Sequence, residues 1–139
     1  MNPMIDRTDQ WRFCLRIFTC GLLFYAAAKL WPDAMPVEVY GHLAYDIAAE
    51  TWSMGFMSAS GMVAYGIHIN GRWKWSPVLR ICGYLMLLMM FAFLVGSAIQ
   101  APFGAVIVIF GGVFFVPMVI GFLRINLVDF IGRMTHGAR

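Results

Sequence analysis

The sequence predicts an all-α integral membrane protein: a four-helix bundle with a short amphipathic surface helix between its first and second spans. Three observations carry this expectation. Hydrophobic residues make up 61% of the 139 and charged residues 12%, and the mean hydropathy is +0.75, more apolar surface than a soluble fold of this size hides. The apolar residues gather into four long runs, and a helix needs about 20 of them to cross about 30 Å of hydrocarbon. Five tryptophans, Trp11, Trp31, Trp52, Trp73 and Trp75, stand at the edges of the runs, where indole rings prefer the headgroup boundary. A single transmembrane domain over residues 1–139 is expected.

The first span is expected over residues 13–31, after a polar stretch in which Asp6 or Thr8 can cap the helix. Arg16 and Lys29 lie near its two ends, and their long stems carry the charges to the interface. The order Arg12, Arg16, an apolar stretch and Ala26-Ala27-Ala28 also has the outline of a signal peptide. The apolar stretch is long for such a segment, so a retained span is expected.

From Pro32 to Glu50 the chain changes in kind. Pro32 and Pro36 end one helix and start another. Val37, Tyr40, Ala44, Ile47 and Ala48 fall on one helical face, while Glu38, His42, Asp46 and Glu50 follow one another at i+4 on a second. This predicts an interfacial helix over residues 36–50 lying along the membrane surface. Its charged stripe is a candidate pH-sensitive surface because His42 sits between two carboxylates; a solvated stripe with no sensing role is the plainer alternative.

The second span is expected over residues 52–70. Asn70-Gly71 punctuates its end, and Ser76-Pro77 caps and opens the third span, residues 77–98. A short uncharged connection leads into the fourth, residues 103–123, in which Pro117 is expected to bend the helix. The segment beyond, with Arg124, Asn126, Asp129, Arg133, His136 and Arg139, reads as a basic amphipathic extension of that last helix.

Orientation follows from the cations. Arg7, Arg12, Arg16, Arg72, Lys74, Arg80, Arg124, Arg133 and Arg139 share one side of this topology, and Lys29 alone falls on the other. By the positive-inside rule both termini belong in the cytoplasm of a cell whose inner membrane, bacterial or host, holds the chain. Trp11, Trp31, Trp52, Arg72, Trp73, Lys74, Trp75, Arg80 and Arg124 are the expected interface anchors. The net charge of +3 is thus a topology signal, and no nucleic-acid partner is expected.

The middles of the four runs hold no Asp, Glu, His, Lys or Arg. Proton relays and ion coupling need such a group in the membrane. A small multidrug exporter, for instance, needs an embedded carboxylate. The three cysteines, Cys14, Cys20 and Cys82, form no metal or disulfide pattern. His68, single and interfacial, reads as a hydrogen-bonded histidine in preference to a ligand. No cofactor, metal site or catalytic motif is expected, and so no enzyme.

Small residues crowd the second span. Gly55 with Ala59, and Ser60 with Ala64, have the spacing that lets helix backbones approach closely, and Gly111-Gly112 offers the same in the fourth. These are the candidate packing or oligomerisation residues. They fit packing inside one bundle or contact between copies.

The stretch Leu30-Trp31-Pro32-Asp33, then Tyr40, Trp52, Ile69-Asn70-Gly71-Arg72-Trp73, Ser76-Pro77 and Arg80, resembles a group of small four-span membrane proteins encoded by phages and prophages of proteobacteria. The likeness runs over the first and middle parts of the chain, and the Asn-Gly-Arg-Trp turn is its most specific piece. In its third span this chain carries Met and Leu where the group carries aromatics. The resemblance implies a viral setting and, with the small size and absence of coupling groups, a holin-like protein that oligomerises and permeabilises the inner membrane. One alternative is a non-enzymatic anchor or accessory subunit that docks a membrane-protein partner. Another is an oligomeric channel without a proton-coupling group.

Overall fold

A computed structural model describes residues 3–30, 49–70, 72–98, 109 and 111–136. Its regular structure is helical: α1 (Pro3–Leu30), α2 (Ala49–His68), α3 (Ser76–Ala98), and a π-helical turn (Gly111–Phe115) that runs directly into α4 (Val116–His136). The predicted interfacial helix, with Glu38, His42 and Asp46, lies outside the described residues. Glu50, placed at the end of that helix by the sequence, instead occupies the first turn of α2. The predicted fourth span begins outside the described residues, and its helix continues without a break to His136.

Consecutive helices pack side by side, α1 on α2, α2 on α3 and α3 on α4. Aromatic contacts close the ring: Phe13 of α1 lies 5.8 Å from Phe115 and 5.5 Å from Phe122 of the last segment. Every helix gives to the core, with Phe13 and Cys14, Ala59 and Val63, Tyr84 and Leu87, and Val119 all buried. The outer surface is apolar too, with Leu15, Leu22, Leu23, Leu85, Met89, Phe93, Ile120, Val128 and Ile131 exposed. A water-facing bundle would not leave patches of this size uncovered.

Among the described residues, three helical segments are long and apolar enough to cross a membrane: Arg7–Leu30, Ser76–Gly96 and Gly111–Thr135. The expected second span, α2, falls short of that measure. The cause is its composition, because its Gly and Ser residues, with Glu50, Thr51 and Trp52 at one end and His68 at the other, lower its hydropathy.

Two local features have clear causes. Pro117 sits just after the π-helical turn. Proline has no N–H to donate and its ring crowds the carbonyl four residues back, and a widened turn relieves both demands. At the end of the bundle where α1 finishes and α2 starts, Lys29 and Glu50 form an ion pair of 2.9 Å whose side chains are 52% and 34% exposed. So open a pair contributes little, and Lys29→Ala should leave the midpoint of a detergent-denaturant titration unchanged.

Candidate functional site

The polar side chains of the bundle collect at the opposite end, where α1 starts, α2 finishes, α3 starts and α4 finishes. Three of them come from one face of α4, since Asn126, Asp129 and Arg133 are spaced i, i+3 and i+7. Asp129 is the hub. Arg133, one turn on, grips both its oxygens, with Nε donating to Oδ1 at 2.9 Å and Nη2 to Oδ2 at 3.0 Å. From α3, Arg80 Nη2 donates to Oδ2 at 2.7 Å.

Arg80 is only 2% exposed. The sequence reading made it an interface anchor, but the first turn of α3 lies inside the ring of helices, so the guanidinium faces Asp129 in place of headgroups. A buried cation is costly unless paired and hydrogen-bonded, and Asp129 supplies that pairing. The free segment middles therefore coexist with a buried ionic group near one end.

Asn70 extends the cluster to the α2–α3 turn. Its Oδ1 accepts from Ser76 Oγ at 3.1 Å, from Arg80 Nη2 at 3.4 Å and from Arg133 Nη2. The turn is closed by backbone bonds from Arg72 N and Trp73 N to Ile69 O, and from Ser76 N to Trp73 O. Asn70 thus does more than end a helix: it ties the turn to α3 and α4.

One turn deeper lies a second layer. Gln10 of α1 accepts at Oε1 from Tyr84 OH at 3.3 Å and from Asn126 Nδ2 at 3.0 Å. Asn126 Nδ2 also donates to Phe122 O at 2.7 Å. Gln10, Tyr84 and Asn126 are all buried, and the layer is roofed by aromatics, with Tyr84 and Phe122 rings 5.8 Å apart. Together the two layers join side chains from α1, α3, α4 and the α2–α3 turn. We call the assembly the polar clasp.

The clasp fixes the relative rotation and height of the helices, because its short polar groups pair only in one alignment. It provides no nucleophile held by a base, and among the described residues no three His, Cys, Asp or Glu side chains converge as metal ligands do.

The remaining predicted site residues fall as follows. Ala59 and Ser60 are fully buried inside the single bundle, and the Ser60 hydroxyl donates to Phe56 O and Met57 O of its own helix. Ala64 packs against the core. Gly55 faces the end of Met90, and Gly111 faces the ring of Phe91, whereas nothing stands near Gly112. Trp11, Trp73 and Trp75 are exposed, as are Arg72, Lys74 and Arg124, all positions suited to anchoring. Lys74 Nζ rests 6.0 Å from the Trp75 ring, which in turn lies 6.4 Å from Phe130. Trp52 is different: it is 7% exposed, buried by its neighbours rather than set in the headgroups. Trp31 lies outside the described residues.

The clasp residues Gln10, Asn70, Tyr84, Asn126, Asp129 and Arg133 were not singled out as a site by the sequence. A signal existed in the helical spacing of polar residues within apolar segments, Arg80 with Tyr84 at i+4 and the Asn126, Asp129, Arg133 face. Which face meets which was not readable without the packing.

No protein family, curated protein or solved structure matches the chain.

Proposed function

We propose that the chain is a non-enzymatic integral membrane protein that crosses the bilayer four times with its clasp end in the cytoplasm, and serves as an anchor or accessory subunit docking a partner there. The reading rests chiefly on one observation: in each small-residue pair of α2 that could serve an assembly of copies, one member, Ala59 or Ser60, is fully buried within the single bundle. A lesion-forming oligomer must build its contacts elsewhere. The cytoplasmic end then offers exposed Arg7, Arg12, Arg16, Arg72 and Lys74, a basic surface suited to an acidic partner.

Crossing by α2 is supported by its two ends. It has 20 residues, about 30 Å of helix. Glu50 at its start pairs with Lys29 at the end of α1, and Asn70, just past its finish, joins Arg80 and Arg133. It therefore runs between the same two ends as the three apolar helices. Its weaker hydropathy is tolerable because α1 and α3 cover two of its sides. The one-sided cations support the orientation.

Two measurements test this. Single cysteines introduced at Arg72 and at Thr51, in a background where Cys14, Cys20 and Cys82 are replaced by Ala, should be labelled from opposite sides of the inner membrane, the Arg72 position from the cytoplasm. Labelling of both from one side would remove the α2 crossing. Inducible expression with a potentiometric dye should leave the membrane polarised while gentle extraction recovers a stoichiometric partner. Abrupt depolarisation as the protein accumulates would replace the anchor reading with the holin-like one, and discrete, selective conductance in a planar bilayer would replace it with a channel.

A further inference from the structure

Between α1 and α2, close to the clasp end, the surface holds a groove of about 70 Å³ lined by Trp11, Cys14, Leu15, Phe18, Ser60, Gly61 and Ala64. Its exposed lining is wholly apolar; the Ser60 hydroxyl is turned back to its own helix at 2.8 Å from Phe56 O. The floor exists because α2 is thin there: a β-carbon at Gly61 would meet no atom within 4 Å. The walls are rings and branched chains, with Trp11 44%, Leu15 55% and Phe18 40% exposed.

The ends of the groove differ in chemistry. Followed towards the middle of the bundle, the α1 face continues from Phe18 to Leu22, which is exposed and apolar. Followed the other way, each wall ends on a basic side chain. Arg7 precedes Trp11 by four residues, one turn of the same face of α1, and His68 follows Ala64 by four residues on the matching face of α2. Both are exposed. An apolar channel along the bilayer normal, flanked by an indole at headgroup depth and topped by the Arg7 guanidinium and the His68 imidazole, has the charge and polarity order of one phospholipid molecule: tail, glycerol region, phosphate.

We propose that this groove is a binding site for one anionic phospholipid of the inner leaflet, with an acyl chain against Gly61 and Ala64, the glycerol region beside Trp11, and the phosphate between Arg7 and His68. The site rests on the membrane-spanning reading given above. Anionic lipid is favoured over zwitterionic because Arg7 is joined by Arg72, also exposed at this end, and each cation near an anionic headgroup adds to the attraction. A bound lipid would bridge α1 and α2.

The test uses the full chain reconstituted in nanodiscs of equal phosphatidylglycerol and phosphatidylcholine, followed by native mass spectrometry of the protein released from them. The expected result is one retained phosphatidylglycerol per chain, at least ten times more abundant than retained phosphatidylcholine. Gly61→Leu enters the groove from a position where a β-carbon meets no described atom within 4 Å, so the fold should persist and retention should fall at least tenfold. Arg7→Gln should keep retention of lipid but lose most of the headgroup preference. Equal retention in wild type and Gly61→Leu, absence of headgroup preference in the wild type, or a dimer that Gly61→Leu dissociates would each overturn the lipid site while leaving the spanning reading intact. Failure of the wild-type chain to enter nanodiscs, or its release from membranes by alkaline carbonate, would instead overturn the spanning reading and the site with it.

Discussion

Replacing Asp129 by alanine should lower the stability of the bundle by about 3 kcal/mol, the largest loss expected from any single polar substitution in the clasp. The reason lies in what the change leaves behind. Arg80, whose side chain is 3% exposed, loses its closest carboxylate oxygen, 2.7 Å away, and stays buried with an uncompensated charge. Breaking a buried pair by removing one partner costs about 3–5 kcal/mol, and the lower figure applies because Asp129 is itself 31% exposed and water can reach the gap. Arg133→Ala removes a cation that is 26% exposed and leaves Arg80 and Asp129 paired, so its loss should stay near 1 kcal/mol. The paired replacement Arg80→Met with Asp129→Leu removes both charges and should recover most of the stability lost in Asp129→Ala. Unfolding midpoints in mixed detergent, followed by far-ultraviolet circular dichroism, give all these values on one scale. An Asp129→Ala midpoint equal to wild type would show that the ion pair does not hold the helices.

Gly83→Ala should destabilise the bundle by about 1–3 kcal/mol even though alanine is the better helix former. A β-carbon there would stand 2.8 Å from the carbonyl oxygen of Ala59 and 3.2 Å from the backbone nitrogen of Val63. Both are backbone atoms of α2, and backbone cannot swing aside as a long side chain does. The α2–α3 contact would have to open, with strain running into the Ala59, Val63, Tyr84 and Leu87 layer of the core. Gly121→Ala provides the opposite case. Beyond its own helix backbone, a β-carbon there meets no atom of the described residues within 4 Å, so the gain in helix propensity, at most about 1 kcal/mol, is not offset by a clash. The two substitutions are chemically identical, and their signs should differ in the same denaturation assay. Stabilisation by Gly83→Ala would mean that α2 and α3 do not approach this closely.

The contrast also locates the limit of the small-residue argument. The spacing of Gly55, Ala59, Ser60 and Ala64 pointed to close approach along α2, and Ala59 does sit at the tightest crossing. Its counterpart, Gly83 in α3, carries no such spacing of its own and was passed over. Gly55, by comparison, meets only the flexible end of Met90, which can give way. Spacing tells where a helix is thin; it does not tell whether the neighbour presents backbone or a movable side chain.

Trp52 and Arg80 teach the same lesson for the anchors. Both stand at the edge of an apolar run, as interfacial residues do, and both are buried. Trp11, Trp73, Trp75, Arg72 and Lys74 stand at equivalent places in the sequence and are exposed. Depth along the bundle axis is shared by the two groups; rotation about the helix axis separates them.

Partition between water and hydrocarbon is a sum of transfer free energies taken residue by residue, so it can be read from the chain as written. It determined that the protein is helical and that its helices carry apolar residues outward as well as inward. Pairing between side chains is a property of two helices at once, set by their relative rotation and axial shift, which follow from packing among all four. The tertiary structure alone therefore decided that Gln10 meets Asn126, 116 positions later, that Asp129 neutralises Arg80, and that Ala59 and Ser60 of α2 are enclosed within one bundle.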